Sequence, residues 1–144
     1  MFSSSLIDIP RPFIDPIHSL AEALGVTSLV MQRPRSASTI ALVLDRQRRG
    51  LHLNRFAPLS HTVFHDIVSD ASHLDTAHEV VLCSTRITSP MHPTDLDLWR
   101  CGQNVFNSAG LELIDWCVVG RGGYYCPRSL LNDPDSWPTS VPCV

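Results

Sequence analysis

Lysine is absent from this 144-residue chain, and all eleven basic residues are arginine. That removes every mechanism that runs through a lysine amine: Schiff-base chemistry of the aldolase and pyridoxal kinds, and the P-loop lysine that holds a nucleotide phosphate. The arginine usage itself reads as genomic bias rather than as a demand for guanidinium chemistry. No stretch approaches the roughly 18 apolar residues of a membrane span. The opening MFSSSLIDIPRPF lacks a basic start followed by an apolar core, so no secretory signal is expected there. The five cysteines include no CxxC pair, which leaves neither a zinc knuckle nor a dithiol redox motif. A strong charge of one sign is also missing. The formal net charge of −3 argues against a generally basic nucleic-acid binder.

What is present is ordinary globular material, with 44% hydrophobic and 17% charged residues in a length that suits one domain with one core. Cys83 and Cys117 stand in apolar sequence, as buried reduced thiols do, which points to a cytoplasmic protein. Residues 1–15 are rich in Ser and Pro and read as an extended N-terminal arm; 16–128 form the single domain, and 129–144 a Pro-rich C-terminal tail.

Within the domain, Pro16 to Leu24 has the signals of a short helix, with Asp15 as N-cap, Pro16 at the first helical position and Gly25 just past the end. Ile17, Leu20, Ala21 and Leu24 would be its inward face. Residues 39–45 form an apolar run of strand length, 46–50 a polar turn ending in Gly50, and 51–56 an alternating strand, together a hairpin. Helical spacing then runs from Pro58 to about Ala71. A second buried strand follows at 78–84, an irregular loop at 85–93, and a second main helix from Thr94 to about Ser108, closed by Gly110. Strands at 111–119 and 123–127 complete the order β-β-α-β-α-β-β. The expected architecture is α/β: a three-layer mixed β-sheet with helices on both faces, the two main helices split between them.

Seven histidines and fourteen carboxylates invite a metal reading. His61 and His65 lie at i, i+4 on one helix face, but without the glutamate of an HExxH motif they read as a solvated surface. His73, His78 and His92 show no ligand spacing. Gly120-Arg-Gly-Gly123 follows a strand without opening a helix, so it reads as a hairpin turn rather than a phosphate loop. Cys126 stands beside Arg121 and Arg128 in sequence, yet no base is near it, and strand packing is its expected role. Arg46, Arg48 and Arg49 crowd one hairpin tip, where they would be solvated or contact phosphate. Trp99, Trp116 and Trp137 are too scattered for a base-stacking platform.

Two segments carry a family likeness. Pro93-Thr-Asp-Leu-Asp97 opens a helix, and Gly110-Leu-Glu-Leu-Ile-Asp115-Trp-Cys-Val-Val-Gly120-Arg-Gly-Gly-Tyr124 forms a strand and turn. With the order of elements from Thr39 onward, these resemble the RadC family of JAB/MPN-domain proteins over about two thirds of the chain. The resemblance implies a JAB/MPN, cytidine-deaminase-like sheet. It also implies a zinc site built from a His-x-His-Pro turn after the central strand, an Asp opening the next helix and a first-strand Glu as general base. Thr94 and Asp97 occupy the family's Ser and Asp positions. Ser84 and Arg86 fall where the two His ligands belong, Ala37 or Ser38 where the Glu belongs, and Trp116 replaces a strand His.

The resemblance therefore implies a degenerate site of Ser84, Arg86, Thr94 and Asp97, with His92 in the adjoining loop, and neither a metal nor another cofactor. Asp97 would cap its helix or pair with Arg86. The expected function is non-catalytic, through an unknown protein partner, with homo-oligomerisation allowed and no membrane involved. A metal-dependent, isopeptidase-like hydrolase using Asp97 and His92 is the competing enzyme reading. A DNA-associated accessory role, with phosphate contacts from Arg46, Arg48 and Arg49, is the third.

Overall fold

Two apolar strands make the centre of the sheet. Ser38–Leu44 (β1) and Glu79–Thr85 (β3) are buried along their whole length, as continuous apolar runs must be when both faces of a strand are covered. The computed structural model describes residues 10–30, 36–87 and 92–130. β1 pairs antiparallel with both Gly50–Phe56 (β2) and β3. β3 pairs parallel with Glu112–Gly120 (β4), which pairs antiparallel with the short Gly123–Tyr125 (β5). The result is an α/β fold with a five-stranded mixed sheet in the order β2-β1-β3-β4-β5. The last strand ends before the expected 127 because Pro127–Leu130 turns into a short helix. The C-terminal tail from 131 lies outside the described residues, as do 1–9 of the N-terminal arm.

Among the described residues the α-helices are Leu20–Thr27 (α1), His61–Ala71 (α2), Asp95–Ser108 (α3) and Pro127–Leu130 (α4). The two main ones, α2 and α3, are not split between the faces. Val63, Phe64 and Ile67 of α2 share one core with Trp99 and Phe106 of α3, against Ala41, Leu82 and Trp116 of the sheet. The opposite face is covered earlier in the chain, where Ile17 and Ala23 pack on Leu42, Val81 and Ile114. Periodicity shows which side of a helix is apolar, and it carries no information on which side of the sheet receives it.

The first helix also starts later than Pro16. Its N-cap is Ser19, whose hydroxyl accepts from the Glu22 N–H at 3.2 Å, while a Glu22 carboxylate oxygen accepts from the His18 N–H at 2.8 Å. This is close to a capping box. Pro16 instead bridges to Arg49, and the N–H groups of Phe13 and Ile17 donate to the carbonyls of Gly50 and Arg48. Those bonds anchor a turn at 12–14, with Phe13 at φ 65°, against the hairpin, and Asp15 pairs with Arg11 instead of capping a helix. Gly25 lies inside the helix, and Ala21 is exposed while Ala23 is buried.

The hairpin turn uses a different device from the one expected. Asp45 Oδ1 accepts from the N–H groups of Gln47 and Arg49, both at 2.9 Å, and Arg48 takes the left-handed conformation at φ 61°. Gly50 is thereby freed to be the first residue of β2. At the far end of α3, Gly110 at φ 79° closes the helix, with the Leu111 N–H donating back to Phe106 at 2.9 Å. In β4, Leu113 pairs with Val80 and Asp115 with Val81, so Ile114 is an extra residue in the ladder. This bulge lets Ile114 pack with the core beneath α1 while Trp116 turns toward α2 and α3. Among the described residues no helix is long and apolar enough to cross a membrane.

Candidate functional site

Of the residues singled out by sequence, Ser84 lies near the C-terminal end of β3 and Arg86 follows the strand toward the start of α3. Ser84 is buried there, sharing a hydrogen bond with Thr39 of β1 at 3.1 Å and accepting one from the indole N–H of Trp116 of β4 at 2.9 Å. One residue on, Thr85 pairs in the same way with Ser38 at 3.1 Å. Three adjacent strands thus exchange side-chain hydrogen bonds with every named partner buried. A hydroxyl placed so is used up as structure, because its lone pairs and proton are already engaged in a region that water does not reach.

Arg86 leaves the sheet with its N–H on the carbonyl of Val119. Its guanidinium then forks onto one carboxylate, with Nη1 to Oδ2 at 2.9 Å and Nη2 to Oδ1 at 2.6 Å. That carboxylate is Asp95, not Asp97. Asp95 is 1% exposed, and it also accepts from the His92 N–H at 2.9 Å. The reason is helical geometry: α3 starts at Asp95, and two positions along a helix rotate a side chain by about 200°. Asp97 therefore points outward and is exposed. It is neither the N-cap nor the partner of Arg86. Thr94 stands at the N-cap without a side-chain capping bond; its hydroxyl meets His92 Nδ1 at 3.0 Å instead. The positive end of the α3 dipole adds to the stabilisation of Asp95.

This arrangement has a defined chemical consequence. The Arg86 guanidinium already holds both oxygens of the Asp95 carboxylate, so each charge is neutralised by the other. Ser84 is hydrogen-bonded to Thr39 and Trp116, and among the described residues no imidazole hydrogen-bonds to it. The loop residues 88–91 lie outside the described residues.

The other sequence candidates are dispersed. At the hairpin tip Arg48 binds both oxygens of Glu79 at 2.9 and 3.2 Å and Arg49 binds Asp45 at 2.9 Å, while Arg46 is exposed and lines a shallow pocket together with Arg49 and Asp45. Cys126 is half-buried and hydrogen-bonds to Cys117. That bond, followed by burial, drives the Cys117 thiol far above the usual range, so Cys117 stays protonated. Arg128 is directed at Asp115 at 3.0 Å, where it neutralises a carboxylate with no solvent exposure. Donor atoms of His78, Glu79 and Glu112 lie within 4.8 Å of one another at the start of β3 and β4. Glu79 is already held there by Arg48, which makes the group an ion-paired edge.

Sequence reasoning missed the partnerships of Asp95 and of Cys101, along with ion pairs such as Arg48–Glu79 and Arg128–Asp115. Asp95 stands two residues from the aspartate that matched a motif, and only the start of α3 distinguishes them. His61 Nδ1 lies 3.2 Å from the Sγ of Cys101, forty residues away on α3. No family model matches the chain, and no curated protein matches it.

Proposed function

We propose that this chain is a degenerate RadC-like JAB/MPN domain that has exchanged metal chemistry for a structural clasp and acts by binding a protein partner. The observation that carries this reading is the Arg86–Asp95 pair at the end of β3, beside a Ser84 already bonded to an indole. In the family pattern Ser84 and Arg86 fall at the two His ligand positions, while the ligand Asp falls at Asp97, two residues from the acid that Arg86 holds; the guanidinium then stands where the cation would belong. The mixed sheet with its hairpin-first order of elements is compatible with that ancestry.

The rim of the same region favours a binding role. Ile87, just after β3, and Tyr124, paired across from Val119 on β5, are 62% and 64% exposed. Large apolar side chains held out beside a closed polar site suit contact with another protein. A cytoplasmic location is part of the same proposal.

The test is metal analysis of purified, dialysed protein together with its Asp97→Ala and His92→Ala variants. The reading expects no metal whose retention depends on Asp97 or His92, and no metal-dependent hydrolysis of isopeptide substrates. Retained zinc that disappears with either substitution would overturn it and restore the hydrolase reading.

A further inference from the structure

We propose that His61 and His65 form a chelating site for a divalent transition-metal ion of the zinc class at the mouth of the groove between α2 and α3, with Cys101 positioning His61 from behind. The two imidazoles face one another with their Nε2 atoms 3.1 Å apart. Two nitrogens bound to one ion at about 2.0–2.1 Å and separated by this distance subtend an angle of about 100° at the metal, between the octahedral and tetrahedral values. The pair is therefore already spaced as two ligands of one ion.

The backbone beneath this pair is fixed independently of any metal. α2 is capped by the Ser60 hydroxyl and buries Val63, Phe64 and Ile67, which leaves His61 and His65 one turn apart on the exposed side. α3 is held close by the edge-to-face packing of Phe64 on Phe106, with centroids 5.9 Å apart. Gly102 permits the approach, since a Cβ there would lie 2.8 Å from the Phe64 ring. Its neighbour Cys101, a reduced thiol, is thereby brought to His61 Nδ1.

The tautomers follow from these contacts. Without metal, one Nε2 carries the proton shared between the two rings. With an ion on both Nε2 atoms, the ring that had carried the bridging proton takes it up again on Nδ1 by way of solvent, so that each imidazole holds one proton on Nδ1 and that of His61 is donated to Cys101 Sγ. Metal-bound imidazoles are commonly oriented through their second nitrogen in this way. No proton is gained or lost, and no bond to sulfur is required. Beside the pair runs an open groove of about 500 Å³ that includes Asn104 and Ser108, so the remaining coordination positions are open to water or a further ligand. His61 stands between Cys101 and His65, one ring nitrogen toward each, which is why Cys101 is assigned to positioning and not to the ion itself.

The experiment is a titration of the full chain with cobalt(II), read by absorption, followed by displacement with zinc. Saturable one-to-one binding is expected, weakened at least about tenfold by either His61→Ala or His65→Ala and unchanged by His73→Ala. Cys101→Ser should keep the stoichiometry with a smaller loss of affinity, and the parent complex should lack an intense sulfur-to-cobalt charge-transfer band. Such a band would overturn the role given to Cys101. Absence of saturable binding, or binding that survives both histidine substitutions, would overturn the site. Because both histidines are exposed, melting curves of the variants should match the parent without metal, and zinc should raise the melting temperature of the parent but not of His65→Ala. The inference does not rest on the proposed function: metal lost with His61 leaves the reading at Asp95 untouched, and metal lost with Asp97 overturns only that reading.

Discussion

Breaking the clasp between Arg86 and Asp95 should weaken the domain by an amount the structure allows to be bracketed. Asp95 is 1% exposed and the Arg86 side chain 21%, so the pair is neither a surface contact nor a fully buried one. Removing one member of a buried pair costs about 3–5 kcal/mol, whereas surface pairs are worth less than about 1 kcal/mol. After Arg86→Met, Asp95 would keep the His92 N–H at 2.9 Å and its place at the head of α3, which together recover part of the loss. We expect a net cost of about 2–3 kcal/mol, or a fall of roughly 6–12 °C in melting temperature for a domain of this size. Asp95→Asn should cost a similar amount, and the double variant should fall short of additivity by at least about 1.5 kcal/mol. Asp97→Asn is the control and should stay within about 0.5 kcal/mol of the parent. Urea unfolding of the four proteins and the parent supplies the numbers. Additive effects at Arg86 and Asp95, or an Asp97→Asn cost equal to that of Asp95→Asn, would refute the assignment of the pair.

Trp116→Phe and Ser84→Ala should each destabilise by about 1–2 kcal/mol in chemical denaturation, and the pair together by about 1 kcal/mol less than their sum, because the double variant orphans neither the indole N–H nor its acceptor. Gly102→Ala should lower stability by about 1–2 kcal/mol although alanine favours helix, since the overpacking against Phe64 and Leu113 outweighs about 1 kcal/mol of propensity; an increase in melting temperature would show that the helices can move apart. Asp45 is pushed upward by burial but more strongly downward by the N–H groups of Arg49 and Gln47 and the Arg49 guanidinium, so its net pKa lies below the ordinary value. Its stabilising contribution is then present above the unfolded pKa of about 4 and lost as pH falls through the lower folded value. Asp45→Asn should accordingly differ from the parent most at pH 6–7, and urea midpoints of the two should converge below about pH 4.

The central strands were legible because burial on both faces leaves a plain trace: the runs at 39–45 and 78–84 lie within a residue of β1 and β3. The end of α3 was legible for a similar reason, since Gly110 can adopt a positive φ at little cost. The start of α1 was not. Asp15-Pro16 is as good a local helix signal as Ser19 with Glu22, and the choice is made by carbonyls of the hairpin that take the N–H groups of Phe13 and Ile17. The partner expected for Arg86 was two residues off, Asp97 in place of Asp95, because helix phase, not composition, selects Asp95. The contact of Cys101 with His61 leaves no trace in spacing at all, since it arises only when two helices share one face of the sheet.

The arm that bonds to the start of the hairpin has a bearing on how a partner can approach. Exposed strand edges invite another chain to add a strand, and folded proteins commonly cover or shorten them. Here the carbonyls of Arg48 and Gly50, at one end of the outer strand β2, are already taken by Ile17 and Phe13. The opposite border is β5, three residues long and opened by Gly123 at φ 154°. One border is partly occupied from within and the other offers too short a ladder for stable pairing. If the domain binds a protein as proposed, backbone strand addition at either of these two places is disfavoured, and contact there falls to side chains, where a single substitution can separate one partner from the next.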